Sequence, residues 1–187
     1  MTVRVWLARH GATEWSASGR LTGWRDVPLS DAGREQAVDL RRRLDGRGFD
    51  SVRTSDLVRA VDTARIVAGA AVPDPRLREL DFGTLEGATW EELAPGVRRA
   101  LMRFDGFEAP EGESVRDLRR RLVEAIAELP AGDHLIVTHG GVIRALVRNA
   151  GLVGPGEVRT LRLRESGLTR RRARPGSDRR RVPLPGS

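Results

Sequence analysis

The spacing of apolar residues along the chain predicts strands separated by helices. The first strand spans residues 3–8, where Val3, Val5 and Leu7 fall on one face, as in a half-buried strand. It runs directly into the triplet Arg-His-Gly at 9–11. The strand therefore ends in residues suited to ligand chemistry rather than to packing.

Three further segments have helical spacing. Ser30 is placed to cap a helix over 31–47, and Ser55 to cap a second helix. Ser114, with Asp117 three residues later, fits a capping box at the start of an amphipathic helix. The inner stripe of the second helix consists of Leu57, Val61, Ala64 and Ala68.

The remaining segments complete an α/β pattern. The pattern of residues 77–87 predicts an extended segment with two glycine breaks. That of residues 88–113 predicts a short helix with a mobile loop. Residues 49–56 and 134–138 predict strands, the second followed by a helix. We expect a three-layer α/β/α sandwich with a mainly parallel central sheet, in a single domain over 1–187.

Two of the predicted strands end in a histidine followed by glycine, at His10-Gly11 and at His139-Gly140. In open α/β sheets, ligands bind outside the carboxyl ends of the strands. One such histidine is usually structural. Two at equivalent strand ends, with Arg9 beside the first, favour a catalytic site for an anionic substrate.

The net charge of +7 is concentrated at the C-terminal end of the chain. Residues 1–156 contain 23 arginines and 23 acidic residues, residues 157–187 contain 10 arginines and three acidic residues, and lysine is absent. No apolar run is long enough to span a bilayer, and the first residues do not resemble a secretory signal. We therefore expect a soluble cytoplasmic protein without membrane contact.

The residue inventory excludes several kinds of enzyme. Cysteine is absent and there are only three histidines, without a spacing typical of metal ligands, so no metal site is expected. A Gly-x-Ser-x-Gly elbow and a P-loop lysine are also absent. What remains is a histidine nucleophile that attacks phosphorus, aided by cations and by a carboxylic acid that protonates the departing alkoxide and then activates water.

Four blocks of sequence resemble the histidine phosphatase superfamily, in the branch that includes the cofactor-dependent phosphoglycerate mutases. The first block, ARHGATEWSASGRLTGWRDVPLSDAGREQA at 8–37, is far more specific than its Arg-His-Gly triplet. The others follow in the family's order: SDLVRAVDTA at 55–64, LRELDFGTLEG at 77–87 and VTHGGVIRAL at 137–146. The resemblance covers residues 3–150 and implies a phosphoglycerate mutase-like fold and catalysis without a cofactor or metal.

The resemblance implies a role for each matching residue. His10 would be the phosphorylated nucleophile, with Arg9 and Arg59 binding the phosphoryl group. His139 would be a second, charged histidine at the phosphoryl oxygens, and Glu79 the proton donor and acceptor. The further substrate-binding positions are Ser16, Thr22, Gly23 and Gly140.

Some of these assignments have alternatives when the residues are considered alone. Asp81 and Glu86 are rivals for the acid, since both are near Glu79 in sequence. Glu79 could instead form an ion pair with a neighbouring arginine, Arg76 or Arg78. Arg59 could likewise be one of many solvated arginines.

Position 16 departs from the pattern of the family. Ser16 stands where relatives often have Asn, whose amide helps to hold the phosphate. A hydroxyl offers one donor in place of an amide. A weaker or water-assisted contact to phosphate is therefore expected there.

Hydrolysis is favoured over mutase chemistry by residues 88–113. Mutases of this family have a longer insertion after the Glu block, which keeps water from the phosphoenzyme, and a Glu-Arg pair with a following Lys that is absent here. We expect a phosphomonoesterase acting on a small phosphorylated metabolite such as a sugar phosphate, with phosphoglycerate mutase-type transfer as the alternative. Residues 88–113 are the predicted lid and would supply specificity through Trp90, Phe104 and Phe107. The segment also contains three arginines that could bind a second anionic group, Arg98, Arg99 and Arg103. A solvated helix face is the simpler interpretation of these arginines.

Residues 157–187 lie beyond the matching blocks. The pattern of residues 158–165 predicts an edge strand with Leu161 and Leu163 facing inwards. That of residues 170–187 predicts the frayed, basic end of a hairpin. A hypothesis of a different class is a protein that binds a polyanion through this tail. No aromatic residue lies among these arginines, so nucleic acid is not an expected partner. The oligomeric state stays open, a homodimer included.

Overall fold

The computed structural model describes residues 2–147 and 149–164. This part of the chain contains five strands, six α-helices and two single 3-10 turns. The strands are β1 (Thr2–Arg9), β2 (Ser51–Thr54), β3 (Val72–Pro73), β4 (Gly132–Thr138) and β5 (Val158–Arg164). The helices are α1 (Glu14–Ala17), α2 (Asp31–Leu44), α3 (Val58–Ala68), α4 (Pro95–Arg103), α5 (Val115–Ala127) and α6 (Gly140–Leu146), and the 3-10 turns are Pro75–Leu77 and Gly83–Leu85.

The strands form one sheet in the order β3-β2-β4-β1-β5. Four strands are parallel, and β5 pairs antiparallel with β1 at the edge. This arrangement confirms the expected mainly parallel sheet and the predicted edge strand. Because β1 has a neighbour on each side, it is an interior strand of the sheet.

Helices cover both faces of the sheet and bury two apolar clusters. One cluster contains Val5 and Leu7 together with residues of α4, α5 and α6. The other contains Ala8 together with residues of α2 and α3, and Trp6 packs against it. The three layers predicted from the sequence are therefore confirmed. The prediction of a half-buried first strand was wrong, because β1 contributes to the core on both of its faces.

The start of α3 also differs from the sequence prediction. Ser30 and Ser114 cap α2 and α5 as expected, each accepting a hydrogen bond from a backbone N–H in the first turn. Ser55 does not cap α3, which begins only at Val58. The Val58 N–H instead donates to Asp26 Oδ1, at 2.7 Å, from a loop 32 residues earlier. The first turn of α3 is thus tied to the loop that follows the Arg-His-Gly triplet.

The C-terminal segment is described only in part. Leu161 and Leu163 of β5 pack against the first apolar cluster, as expected. The predicted frayed end at 170–187, and with it the tail-based polyanion site, lies outside the described residues. Within the described residues, no helix is both long and apolar enough to cross a membrane.

Replacing Asp26 by alanine is expected to destabilise the fold by about 1 kcal/mol, because a backbone N–H at the start of α3 loses its cap. The free energy of unfolding in urea measures this loss. Asp39→Ala is the control, since Asp39 forms only an exposed pair with Arg42 on α2 and its loss should have almost no effect. Equal stability of the two variants would contradict the assigned role of Asp26.

Candidate active site

The parallel pairing of β1 with β4 brings the two predicted histidines together. In this register Arg9 lies opposite Thr138, so both strands end at the same level. The His10 N–H donates to the Thr138 carbonyl at 2.9 Å, which extends the ladder by one residue. The imidazole rings of His10 and His139 consequently lie with their centroids 5.0 Å apart.

The His10 ring is held in one tautomer by its own loop. Its Nδ1 lies 2.6 Å from the Gly11 carbonyl oxygen, which can only accept a hydrogen bond. Nδ1 must therefore carry the proton, and in the neutral ring Nε2 keeps a free lone pair. Burial, reinforced by the positive charges of Arg59 and Arg9, lowers the pKa of His10 well below 6.5. The ring is thus neutral at physiological pH, as a nucleophile must be.

Two arginines lie beside this ring, and both are anchored by backbone carbonyls. Arg59 is completely buried and donates to the carbonyls of Arg25 at 2.8 Å and Gly23 at 2.7 Å. Arg9 donates from Nη1 to the Val153 carbonyl at 2.5 Å. Burial lowers the pKa of Arg59 to about 10, so the guanidinium is still charged at neutral pH. The Nε of each arginine is buried without a hydrogen-bond partner.

His139 is completely buried, and neither of its ring nitrogens has a hydrogen-bond partner. Burial, followed by the charge of Arg59, lowers the pKa of His139 well below 6.5. The ring is therefore neutral when the site holds no anion, whereas the family resemblance implied a charged second histidine. Unpaired buried nitrogens are costly, and a phosphoryl group would satisfy them.

Two backbone N–H groups hold the carboxylate of Glu79, one from the next residue and one from the start of α6. Leu80 N donates to Oε1 at 2.9 Å, and Gly141 N donates to Oε2 at 3.0 Å. A Cβ at position 141 would lie 2.2 Å from Glu79 Oε1, so only glycine leaves room for the carboxylate. This placement explains the second glycine after His139.

The alternative ion pairs considered for Glu79 do not form. Arg78 makes a bidentate contact with Asp56, with both distances 2.7 Å. Arg76 instead binds two other carboxylates, those of Asp74 and Glu128. Glu79 is therefore not used as a surface salt bridge.

The two rival acids have structural partners. Glu86 accepts hydrogen bonds from the backbone N–H groups of Trp24 and Arg25. Asp81 accepts one from Gly83 N. Neither lines the cleft described next, whereas Glu79 does.

A cleft of about 450 Å³ opens onto these groups. Eight of the predicted site residues line it: Arg9, His10, Ser16, Thr22, Gly23, Arg59, Glu79 and Gly140. His139, the ninth, is fully buried and is not among the residues that line the cleft, but its ring packs against that of His10. Among the described residues, no group of three or more His, Asp or Glu side chains could hold a metal ion.

Comparison with known proteins decides the family. The sequence model of the histidine phosphatase superfamily (branch 1) matches residues 5–181. The chain belongs to this superfamily. The match confirms the resemblance and extends beyond residue 150, where the recognisable blocks ended.

Relatives of this histidine phosphatase superfamily member include proteins named as mutases. A probable phosphoglycerate mutase GpmB of Yersinia enterocolitica is 38% identical over 180 residues, covering 90% of this chain and 84% of the relative. The crystal structure of phosphoglycerate mutase from Thermus thermophilus has a TM-score of 0.79 and 42% identity, with 84% of this chain and 92% of that chain covered. Bacillus stearothermophilus YhfR has a TM-score of 0.76 and 30% identity, covering 84% and 90%.

Ser16 contributes to this histidine phosphatase site differently from the expectation. Its hydroxyl donates to the Thr13 carbonyl at 3.0 Å and accepts from Thr13 N at 2.9 Å. Thr13 in turn caps α1 by accepting from Ser16 N. A hydroxyl has one proton to donate, so donation from Ser16 to phosphate would require its bond to the Thr13 carbonyl to break.

Arg121 of α5 was not predicted from the sequence, although it positions the Glu79 backbone. Its Nη groups donate to the carbonyls of Arg76, Arg78 and Glu79, each at 2.7–2.8 Å. The same guanidinium is paired with Glu113 in a bidentate contact. One arginine among many carries no sequence signal for such a role, because the contacts depend on tertiary structure.

The predicted lid segment supplies part of the cleft. Trp90 and Phe104 line the cleft as expected, together with Leu101 and Met102 of α4. Phe107 is instead buried in the first apolar cluster. The three arginines considered for a second anion, Arg98, Arg99 and Arg103, are not among the cleft residues.

We expect both site histidines to be neutral at pH 6.5, the ordinary histidine pKa, because burial lowers their pKa values. Adding inorganic phosphate should raise the pKa of His139, since a dianion beside a buried imidazole favours its charged form. Imidazole nitrogen NMR shifts measure both states, with signals assigned from a His139→Gln variant. A His139 ring that is half protonated at pH 6.5 without phosphate would contradict this assignment.

Proposed function

We propose that the protein is a phosphomonoesterase that hydrolyses a small phosphorylated metabolite through a phosphohistidine at His10. The observation that carries the proposal is the set of unpartnered buried nitrogens beside His10. They belong to Arg9, Arg59 and His139. Backbone carbonyls hold Nη groups of both arginines, which leaves the N–H donors at Nε, and cationic donors of this kind are suited to the oxygens of a phosphoryl group.

In the first half of the proposed reaction, the lone pair on His10 Nε2 attacks phosphorus. The bond between phosphorus and the ester oxygen breaks, and a proton from the Glu79 carboxyl passes to that oxygen, which leaves as the alcohol. Arg9 and Arg59 hold the equatorial phosphoryl oxygens. The products of this half are phosphohistidine, the alcohol and the Glu79 carboxylate.

In the second half, water enters and Glu79 accepts one of its protons. The resulting hydroxide bonds to phosphorus while the bond to Nε2 breaks and returns its electron pair to His10. Inorganic phosphate leaves, and the Glu79 carboxyl is protonated for the next cycle. The Gly11 carbonyl keeps the Nδ1 proton in place throughout, so His10 needs no separate base.

Access of water supports hydrolysis over return of the phosphoryl group. Met102 and Leu152 line the cleft and are 56% and 81% exposed, so the rim is open to solvent. A mutase must protect its phosphoenzyme from water. The names of the relatives make phosphoglycerate mutase-type transfer the alternative, and a mutase assay therefore accompanies the phosphatase assay.

The proposal is tested by two measurements with p-nitrophenyl phosphate. One is the rate of hydrolysis, and the other is the stability of the phosphoenzyme in acid and in base. The wild-type chain should form a phosphoenzyme that is labile in acid and stable in base, and turnover should persist in EDTA. The His10→Ala variant should neither hydrolyse the substrate nor form the phosphoenzyme. Turnover by His10→Ala would refute the mechanism, and efficient isomerisation of phosphoglycerate in place of hydrolysis would favour the mutase.

Glu79→Gln should slow poor leaving groups far more than good ones, because only alkoxides need its proton. Gly141→Ala is expected to reproduce this pattern, since its Cβ would lie 2.2 Å from Glu79 Oε1 and displace the carboxylate. The ratio of kcat/KM for an alkyl and for a nitrophenyl phosphate measures the effect. Gly96→Ala is the control, because a Cβ there meets no atom within 4 Å. An equal loss for both substrates in Glu79→Gln would assign the acid elsewhere.

A further inference from the structure

The cleft has two chemically different parts. Around His10 its lining is cationic, and the rest is largely apolar. The apolar part comes from α4, from the segment before it and from the segment before β5. Its members are Trp90, Leu101, Met102, Phe104, Leu152 and Val153.

The two parts are continuous. The Val153 carbonyl accepts the hydrogen bond from Arg9, so the apolar wall begins at a residue that holds a phosphate-binding arginine. An ester whose phosphoryl group meets Arg9 can therefore place its alcohol portion along this wall. Met102 and Leu152 are 56% and 81% exposed, and an apolar alcohol would remove part of that surface from water.

Few polar groups are available to a polyol in this part of the cleft. Arg144 donates to the carbonyls of Leu101 and Met102 and stacks on the Phe104 ring, 4.7 Å from its centroid. Its guanidinium therefore supports the wall instead of facing a sugar. Arg20 is held only through Nη1, by the Gly87 carbonyl at 2.6 Å, and is the cation that a carboxylate-bearing alcohol would use.

We propose that the physiological substrate is the phosphate monoester of an apolar or aromatic alcohol, rather than a sugar phosphate or phosphoglycerate. This inference rests on the proposed phosphatase activity for its chemistry and on the cleft lining for its specificity. Apolar contacts distinguish substrates by roughly one to two powers of ten per group. Trp90, Met102 and Leu152 are the specificity-determining residues in this proposal.

The test compares kcat/KM for 2-phenylethyl phosphate, glycerol 1-phosphate and 3-phosphoglycerate, which are all esters of primary alcohols. We expect the aromatic ester to be preferred by about tenfold or more. Met102→Gln and Leu152→Asn should each lower the ratio of kcat/KM for 2-phenylethyl phosphate to kcat/KM for glycerol 1-phosphate. Val72→Thr is the matched control, because Val72 is 64% exposed on β3 and does not line the cleft.

Equal kcat/KM values, or a preference for glycerol 1-phosphate, would overturn the inference about the alcohol. Hydrolysis of these esters would still support the proposed phosphatase activity. A preference for 3-phosphoglycerate would also overturn it and would point to Arg20. If no ester is hydrolysed, calorimetric binding of 3-phenylpropylphosphonate against 3,4-dihydroxybutylphosphonate still decides. Tighter binding of the phenyl compound would then support the apolar wall although the proposed function had failed, and equal binding would refute both.

Discussion

The parallel pairing of β1 with β4 is the constraint on which the rest of the site depends. A shift of their register by one residue would reverse which face each side chain occupies, and the two histidines would no longer meet. The register is fixed by packing, since β1 and β4 are buried between helices on both faces. The most rigid part of the core therefore sets the distance between His10 and His139, and the loops add groups around that pair.

The electrostatics of the site follow from the burial of charge. Arg59 is fully buried, and its hydrogen bonds go to the carbonyls of Gly23 and Arg25 and not to carboxylates. Glu79, Asp26 and Glu86 favour its charged form from a distance, and its positive charge disfavours protonation of the two histidines. The loop of residues 22–26 holds this arginine, and Glu86 and Asp26 in turn hold the loop against the rest of the fold.

The sequence could predict the layers, the starts of α2 and α5 and the positions that line the cleft, because periodicity, caps and motifs are local signals. It could not predict that Asp26 caps α3, since that bond joins residues 32 positions apart. Nor could it place Arg121, whose three carbonyl partners lie more than 40 residues earlier in the chain. The lowered pKa of His139 in the absence of an anion has the same origin, because burial and the proximity of Arg59 exist only in the folded chain. Contacts across the fold decide such properties, and local patterns do not encode them.

The contacts of Arg121 place the support of the Glu79 backbone and the lining of the cleft in different parts of the chain. Glu79, the proposed acid, precedes residues 88–113, whereas Arg121 and its partner Glu113 come at or after the end of that segment. The backbone of Glu79 is therefore fixed from beyond the segment that forms much of the apolar wall. Insertions or substitutions within 88–112 can change which alcohol fits while the proton-transfer group keeps its place. The fold in this way allows specificity to evolve without rebuilding the catalytic chemistry.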